Sequence, residues 1–533
     1  MRALPLLLAL ATPVGPRFLA DDPLAVDRDT LPVDKPLPVE LSTTYDVLEY
    51  SWSHRPDGKT PPAANTNTLG EVPDSSWFTN RLGRQALSPE DAARGPATGT
   101  GPDASGPWTV VSGKSGGITP GFTMRDAAGE VWFVKFDPQE YLGLSTAADV
   151  IGARFFHALG YNVPENFVAS FPRDRLRLAP EAHISGGGKP RRPMTRADLD
   201  AILARAGRLP DGSYRIVASR RVPGEPIGPF EYLGTRSDDP NDVFPHEHRR
   251  ELRGLRLFCA WLNHDDSRSM NTLDTWLPEP RHVKHHLIDF SSTLGSGSDA
   301  TRRIAPQNPR AGNEYILELR PALLSALTLG IADRDWRKVR FPAFPEVGNI
   351  EAAFFRPERW KPEYPNPAFE RMRPADALWA ARILAHVTDD MVRAVVRTGG
   401  FRDPAAEEYL VATLLKRRDK TVDHYLGAMP ALFEFAAGEG RLRFRDMGRE
   451  RGLGMVEGYE HEWFRFDNET HALAPLGPRA TAGEPALPLP AESDGYLMAR
   501  IRPRASLAPW RKKVEVYLRA DPAWTVVGIE REE

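Results

Sequence analysis

The chain has 533 residues, of which 41% are hydrophobic, so it is long enough for two or three domains and can bury substantial cores. Its 69 basic and 72 acidic residues give a formal net charge of -3, and this balance supplies no chain-wide field that would favour nucleic acid or an anionic membrane. The single cysteine, Cys259, excludes an intrachain disulfide and a CxxC metal site.

The N-terminus predicts a signal peptide over residues 1–20. One arginine precedes an apolar run over residues 3–11, which is too short to span a bilayer. FLA before Asp21 is the expected processing position, with Phe18 where a small residue is preferred. We therefore expect a periplasmic or secreted protein, the alternative being a cytoplasmic protein with an apolar N-terminal segment. No other stretch has 18 consecutive apolar residues, so no transmembrane segment is expected.

The next two segments differ sharply in composition. Residues 21–107 are rich in Pro, Asp, Thr and Gly and predict an irregular arm, whose DSSWF segment we expect to dock on the domain that follows. From Trp108, the runs WTVVSGK, FTMRD and VWFVKF predict a three-stranded antiparallel meander, followed by a helix over residues 145–159. Residues 171–212 predict an insertion around one helix capped by Thr195.

The second half of the chain is first helical and then β-rich. A helix over residues 247–262 leads to NHDDSRSMN, and NTLDTWL and HVKHHLIDF predict two strands joined by a turn. Helices dominate beyond residue 314, whereas residues 431–533 predict a small β-rich module. The sequence thus predicts an α+β protein with an irregular N-terminal arm and a β-rich C-terminal module.

The most informative segment joins the predicted helix to the first of these two strands. His264, Asp266 and Asn271 have an H-x-D-x-x-x-x-N spacing, which selects Asp266 over Asp265. The second strand ends in the sequence DFS, which begins at Asp289. Phosphoryl transfer needs a carboxylate near the attacking hydroxyl and oxygen ligands that hold Mg²⁺ against the phosphates. These groups occur here in that order.

With these motifs, residues 108–300 resemble the catalytic core shared by protein kinases, phosphatidylinositol kinases and bacterial toxin kinases. The resemblance implies a two-lobed domain that binds ATP and Mg²⁺ and transfers a group to an unknown acceptor hydroxyl. Its β-rich N-lobe would span residues 108–234, and its mainly helical C-lobe would span residues 235–430. The chain is also similar to a group of uncharacterised bacterial proteins that share segments such as VPDSSWFTNR, GITPGF and HHLIDF.

The same resemblance implies roles for individual residues. Asp266 would be the catalytic base, and Asn271 and Asp289 would be the metal ligands. Arg268 falls where many protein kinases have a lysine that touches the transferred phosphoryl group. Lys135, at the end of the third strand, would contact the α- and β-phosphates.

Two further features would complete the nucleotide site. The usual partner of the phosphate-binding lysine is an acid on the next helix, and Asp149 is the best-placed acid, although it is shorter than the usual Glu. The loop over residues 113–121 lies where a phosphate-covering loop belongs, but it lacks the G-x-G-x-x-G pattern. Its glycines are Gly113, Gly116, Gly117 and Gly121.

Two other motifs point elsewhere and are set aside. Gly113-Lys114-Ser115 resembles the end of a Walker P-loop, but Trp108 stands where the first glycine belongs and a strand follows. The histidines at 282, 285 and 286 suggest zinc, yet adjacent strand residues point to opposite faces.

Two alternatives to an active enzyme remain open. One is a catalytically inactive pseudokinase, which is favoured by Ser291 in place of the Gly of D-F-G and by the irregular glycine loop. Export would favour it further, because ATP is not expected in a bacterial periplasm. The other alternative is an exported envelope binding protein in which residues 431–533 are the binding element.

Overall fold

The computed structural model describes residues 15–52, 58–84, 86–114, 120–186, 189–297, 312–317, 323, 326–328, 339–492 and 494–533. The chain divides into two compact units. The larger unit comprises Val26–Asn65 and Val72–His424, and the smaller comprises Met1–Ala25, Thr66–Glu71 and Tyr425–Glu533. The described residues form helices and several sheets, so the protein is of the α+β class. The apolar run over residues 3–11 lies outside the described residues.

A seven-stranded mixed sheet forms the β-rich part of the larger unit, in the order β4-β7-β3-β2-β1-β5-β6. Its strands are β1 (Trp108–Lys114), β2 (Gly121–Arg125), β3 (Val131–Phe136), β4 (Asn166–Phe171), β5 (Leu176–Gly186), β6 (Lys189–Pro193) and β7 (Tyr214–Arg220). The antiparallel pairing of β1, β2 and β3 confirms the predicted meander. One face buries an apolar core that includes Trp108, Phe122, Phe136 and Tyr214.

The segment over residues 171–212, predicted as an insertion around one helix, also contributes two strands to this sheet. β5 pairs in parallel with β1, and β6 pairs antiparallel with β5. The sequence pattern concealed β5, because its buried Leu176, Ala179, Ala182 and Ile184 do not alternate with period two and are interspersed with charged residues. The helix capped by Thr195 is confirmed, with the side chains of Thr195 and Asp198 forming a reciprocal capping box.

The remaining elements of the larger unit are mainly helical. They are α1 (Thr43–Trp52), α2 (Pro89–Arg94), α3 (Leu144–Ala158), α4 (Arg196–Leu203), α5 (Arg250–Leu262), α6 (Pro367–Glu370), α7 (Pro374–Ala385), α8 (Asp389–Arg397) and α9 (Pro404–Leu426), the last two residues of which belong to the smaller unit. A three-stranded sheet of order β10-β9-β8 joins β8 (Glu225–Pro226), β9 (Thr272–Leu277) and β10 (His282–Leu287). Within the described ranges, none of the helices has the length and apolar character required to cross a bilayer.

The segment predicted as an irregular arm contains helices α1 and α2. Helix α1 was not predicted, because its apolar residues do not mark its buried face. Tyr45 and Leu48 are exposed, whereas Asp46 is buried. The expected docking of the DSSWF segment is confirmed. Trp77 is buried and stacks on His285, with ring centroids 3.5 Å apart.

The smaller unit contains two antiparallel sheets, one of order β11-β12-β16 and one of order β14-β13-β17-β18-β19 with β15 paired to β13. The strands are β11 (Leu432–Gly438), β12 (Arg441–Asp446), β13 (Val456–Phe466), β14 (Leu473–Pro475), β15 (Ala480–Ala482), β16 (Ala486–Pro488), β17 (Tyr496–Ala505), β18 (Val514–Ala520) and β19 (Trp524–Arg531). A short helix, α10 (Met447–Glu450), follows β12.

Phe18 belongs to an aromatic cluster in this smaller unit. Its ring is 4% exposed and packs against Phe466 and Tyr517, with centroid distances of 5.9 and 5.2 Å. The backbone N–H of Phe18 also donates to the side chain of Asn468 at 2.9 Å. Processing after Ala20 would therefore remove an aromatic residue from a buried cluster.

We expect Phe18→Leu to lower the free energy of unfolding of the smaller unit by about 1–2 kcal/mol, because the edge-to-face and tilted ring contacts are lost while most apolar volume remains. Calorimetric unfolding of the purified chain measures this. Leu19→Ala is the matched control, since Leu19 is 46% exposed. Equal stability of the Phe18→Leu protein and the wild type would show that the cluster does not stabilise the unit.

Candidate active site

Three charged side chains that are far apart in the sequence meet between β3, α3 and the residue after β10. Lys135 Nζ lies 2.6 Å from Asp289 Oδ1 and 3.4 Å from Asp149 Oδ2. Asp149 is 1% exposed, whereas the Lys135 and Asp289 side chains are 28% and 40% exposed. The structure therefore brings together Lys135, Asp149 and Asp289, and the Lys135–Asp289 pair remains accessible from solvent.

Asp137 fixes the position of helix α3 relative to the end of β3. Its buried carboxylate accepts hydrogen bonds from the backbone N–H groups of Gly143, Ser145 and Thr146 at 2.8–2.9 Å, and so caps the N-terminus of α3. Arg215, whose guanidinium lies 3.5 Å from this carboxylate, supplies the counter-charge. Because Asp137 is only two residues beyond Lys135, this cap holds the helix that carries Asp149 close to the lysine.

Burial and charge act in opposite directions on this group. Burial lowers the pKa of Lys135, but Asp289 and then Asp149 raise it, and the net shift is upward. Burial raises the pKa of Asp149, and the charge of Asp289 adds to that increase, whereas Lys135 opposes it. The lysine is thus held in its charged form beside Asp289 and Asp149.

The loop between α5 and β9 brings Asn271 close to both aspartates of the motif. Asn271 Nδ2 donates to the backbone oxygen of Asp266 at 2.7 Å, and the backbone oxygen of Asn271 accepts from Ile288 N–H at 3.0 Å. The second bond extends the antiparallel pairing of β9 and β10 by one step, so Asn271 and Asp289 lie at neighbouring strand ends. With Nδ2 donating to a carbonyl, the side-chain oxygen is the atom that could ligate a cation.

Asp266 is buried beside Arg268. Arg268 Nε lies 2.7 Å from Asp266 Oδ1, and Arg268 Nη1 donates to Glu363 at 3.4 Å. Burial raises the pKa of Asp266 well above its ordinary value; the charge of Glu363 adds to this, and Arg268 opposes it. Asp266 Oδ1 is buried and receives no hydrogen bond of good geometry from any described residue.

The segment Asp289-Phe290-Ser291 has an unusual backbone and a packed ring. Asp289 has a φ of 59°, a left-handed conformation that is uncommon for residues other than glycine and is concentrated at functional sites. Ser291 Oγ donates to Asp289 Oδ1 at 2.5 Å. The Phe290 ring is fully buried and stacks on Phe156 of α3, with centroids 5.2 Å apart. This packing locks the residue that follows Asp289 against the helix that carries Asp149.

Two of the four glycines predicted to cover a phosphate lie in strands of the seven-stranded sheet. Gly113 is in β1, where a Cβ atom would lie 2.9 Å from Met194. Gly121 begins β2, where a Cβ atom would lie 2.4 Å from the backbone oxygen of Val134. The close packing of the sheet therefore explains these two glycines without a nucleotide. Gly116 and Gly117 lie outside the described residues.

Several residues of the site had no signal in the sequence pattern. Asn166 of β4 donates to Asp149 at 2.7 Å, and Glu363 reaches Arg268 from almost 100 positions away. Asp46 of α1 accepts a hydrogen bond from Ser269 at 3.2 Å, and Tyr364 donates to the same carboxylate. Each is an isolated polar residue whose partner is distant along the chain, so neither spacing nor periodicity identifies it.

Comparison with known proteins gives no significant match to a protein-family model, to a curated protein or to a solved structure. Among the described residues, no group of three or more His, Cys, Asp or Glu side chains is arranged so that it could hold a metal ion. The metal ligands expected from the sequence, Asn271 and Asp289, are an amide and a carboxylate.

Proposed function

We propose that the protein is an ATP- and Mg²⁺-dependent phosphotransferase of an atypical kinase type, acting on an unknown acceptor hydroxyl. One observation carries the proposal: Lys135 lies between Asp149 and Asp289 in the same region as the hydrogen-bonded pair Asp266 and Asn271. These residues come from four separate segments of the chain. A phosphoryl-transfer centre requires a cation and oxygen ligands from separate segments to meet, so this arrangement supports the proposal.

The order of the elements also supports a two-lobed kinase-like domain. The strands β4, β7, β3, β2 and β1 and the helix α3 would form the N-lobe, with β5 and β6 as an extension at one edge. Helix α5, the hairpin of β9 and β10, and the later helices would form the C-lobe. On this interpretation the nucleotide lies between the lobes, where the exposed parts of Lys135 and Asp289 face solvent.

The donor set fits Mg²⁺, because the carboxylate of Asp289 and the amide oxygen of Asn271 are hard oxygen ligands. When bound, the ion would neutralise phosphate charge. Lys135 would bind the phosphates, and Asp266 would orient the acceptor hydroxyl and accept its proton. Arg268, held beside Asp266, would approach the transferred group from the same side.

A nucleotide-binding pseudokinase is the second candidate. Two contacts favour it: Lys135 is paired directly with Asp289, and Ser291 donates to the same carboxylate oxygen. Both contacts would compete with a metal ion for Asp289 Oδ1. This candidate predicts binding of ATP without transfer.

Incubation of the purified full chain with Mg²⁺ and ATP labelled at either the γ- or the α-phosphate separates these possibilities. Transfer of the γ-label supports the phosphotransferase, and transfer of the α-label would instead indicate nucleotidyl transfer. Binding without transfer of either label would indicate the pseudokinase. Absence of both ATP binding and label transfer would contradict the proposal.

Unfolding measurements test the metal ligands directly. A ligand at 100 times its Kd stabilises the folded chain by about 2.7 kcal/mol, and Asp289→Asn should lose most of the stabilisation that depends on Mg²⁺ and ATP together. The matched control is Asp390→Asn, which removes an exposed carboxylate of α8. If Mg²⁺ and ATP stabilised the wild type and Asp289→Asn equally, Asp289 would not be a metal ligand.

A further inference from the structure

A cleft of about 570 Å³ lies against β10, separate from the proposed active-site residues. Its lining includes the cationic or titratable side chains of Arg81, His157, Arg220, Arg221, Lys284 and His286. The acidic lining residues are Glu130 and Glu165. The volume lies within the range of pockets that hold small molecules, about 300–1,000 Å³.

The two acids of the cleft are already paired. Arg220 forms ion pairs with Glu130 at 3.0 Å and with Glu165 at 3.3 Å. Within the described parts of the chain, Arg81 and Lys284 have no carboxylate oxygen within 4.0 Å. Burial lowers the pKa of Arg81 and a more distant carboxylate, Asp74, attracts Arg81 and opposes that shift, so Lys284 is the cation of the two that has no nearby counter-charge among the described residues.

Arg81 and Lys284 are held in place by the fold. Arg81 Nη1 donates to the backbone oxygen of His157 at 2.7 Å and, more weakly, to that of Tyr161 at 3.4 Å. Lys284 and His286 are two residues apart on β10, so their side chains point to the same face of the strand. His157 Nδ1 is buried there without a hydrogen-bond partner among the described residues.

The cationic side chains of this group repel one another. Burial lowers the pKa of Lys284, and the charge of Arg81 lowers it further. Burial lowers the pKa of His157 to about 3, with Arg81 and then Lys284 adding to the effect. Partly buried cations that repel one another cost folding free energy, and an anion placed between them would offset that cost.

We propose that this cleft binds a phosphate-bearing small molecule, with Lys284 and Arg81 contacting the phosphate. Paired phosphate oxygens suit a guanidinium and an ammonium group that converge from two elements. The cleft also has apolar walls at Val163, Pro164 and Val222, against which the remainder of the ligand would pack. The site would be distinct from the one proposed for ATP and does not depend on phosphotransfer activity.

Pyrophosphate is the probe, because it presents the proposed chemistry without a nucleoside. We expect it to raise the melting temperature of the full chain more than sodium chloride at equal ionic strength does. Lys284→Met should weaken pyrophosphate binding by about tenfold or more, while raising the melting temperature of the ligand-free protein, because a desolvated cation is removed. Lys284→Arg should retain binding, and Lys512→Met, which changes a lysine of the smaller unit, should behave like the wild type.

The ³¹P line width of pyrophosphate gives a second readout that does not depend on stability. Wild type and Lys512→Met should broaden the signal equally, and Lys284→Met should broaden it less. Absence of a pyrophosphate-specific effect in the wild type would overturn the proposal. It would equally be overturned if Lys284→Met bound pyrophosphate as tightly as the wild type does, since pyrophosphate would then bind elsewhere on the chain.

Discussion

Replacing Lys135 with methionine should lower the free energy of unfolding of the larger unit by about 3 kcal/mol. Removal of one partner from a buried ion pair leaves an uncompensated charge, which costs about 3–5 kcal/mol. The expected loss is at the lower end because the Lys135 side chain is 28% exposed. Asp149 is 1% exposed, so it is the buried carboxylate that would lose its counter-charge. Denaturant unfolding of the variant and the wild type at neutral pH measures the difference.

The pH dependence of this loss has a definite sign. Without Lys135, the pKa of Asp149 should rise further, because the lysine opposes the effect of burial. An aspartate with a raised pKa holds its proton more tightly in the folded state, so the variant should regain stability relative to wild type as the pH falls through that pKa. Adding Asp149→Asn should restore part of the stability at neutral pH. A loss that was independent of pH and unaffected by the second change would contradict this account.

Asp266→Asn should reduce phosphoryl transfer by about 10²- to 10⁴-fold, the usual contribution of a positioned general base. The amide keeps the shape of the side chain but cannot accept the proton of an acceptor hydroxyl. The rate of transfer from γ-labelled ATP, measured at saturating nucleotide, gives the effect. Binding of ATP should persist, since Asp266 is assigned to the acceptor and not to the nucleotide.

Asp265→Asn provides the matched control, because it makes the same chemical change at the adjacent buried position. Transfer by this variant should remain within a few-fold of wild type. In the wild type, transfer should fall as the pH drops through the raised pKa of Asp266, since only its ionised form can act as the base. Transfer that survived Asp266→Asn but not Asp265→Asn would reverse the assignment made from spacing.

Local patterns of the sequence predicted much of the larger unit. The run VWFVKF, which is enriched in aromatic and β-branched residues, identified β3 and hence the place of Lys135. The helix cap was equally informative, since Thr195 caps α4 as expected. Features of this kind depend on neighbours within a few residues, so a single sequence is enough to find them.

Features that depend on distant partners could not be predicted in this way. The parallel pairing of β5 with β1 joins segments separated by the whole of β2, β3, α3 and β4, and the composition of β5 concealed it. The hydrogen bonds of Asp46 with Ser269 and of Asn166 with Asp149 likewise link isolated polar residues. Their positions follow from tertiary packing, which leaves no periodic trace in the sequence.

Residues of the N-terminal segment are structural parts of the larger unit. Trp77 packs beneath Arg249, whose guanidinium carbon lies 4.4 Å from the indole ring, and on the His285 ring. Asn65 donates to the buried carboxylate of Glu251. A fragment that began at Trp108 would therefore expose apolar surface and leave Glu251 without this partner.

Phe18 and Asn468 are 450 positions apart and are held together by a direct hydrogen bond. During translation, the ribosome releases the first of these residues long before it makes the second. The smaller unit therefore cannot close until synthesis is nearly complete, whereas the segments of the larger unit are all available earlier. The N-terminal residues of the smaller unit therefore have no folding partner during most of translation. In this interval they are most accessible to a chaperone or a protease.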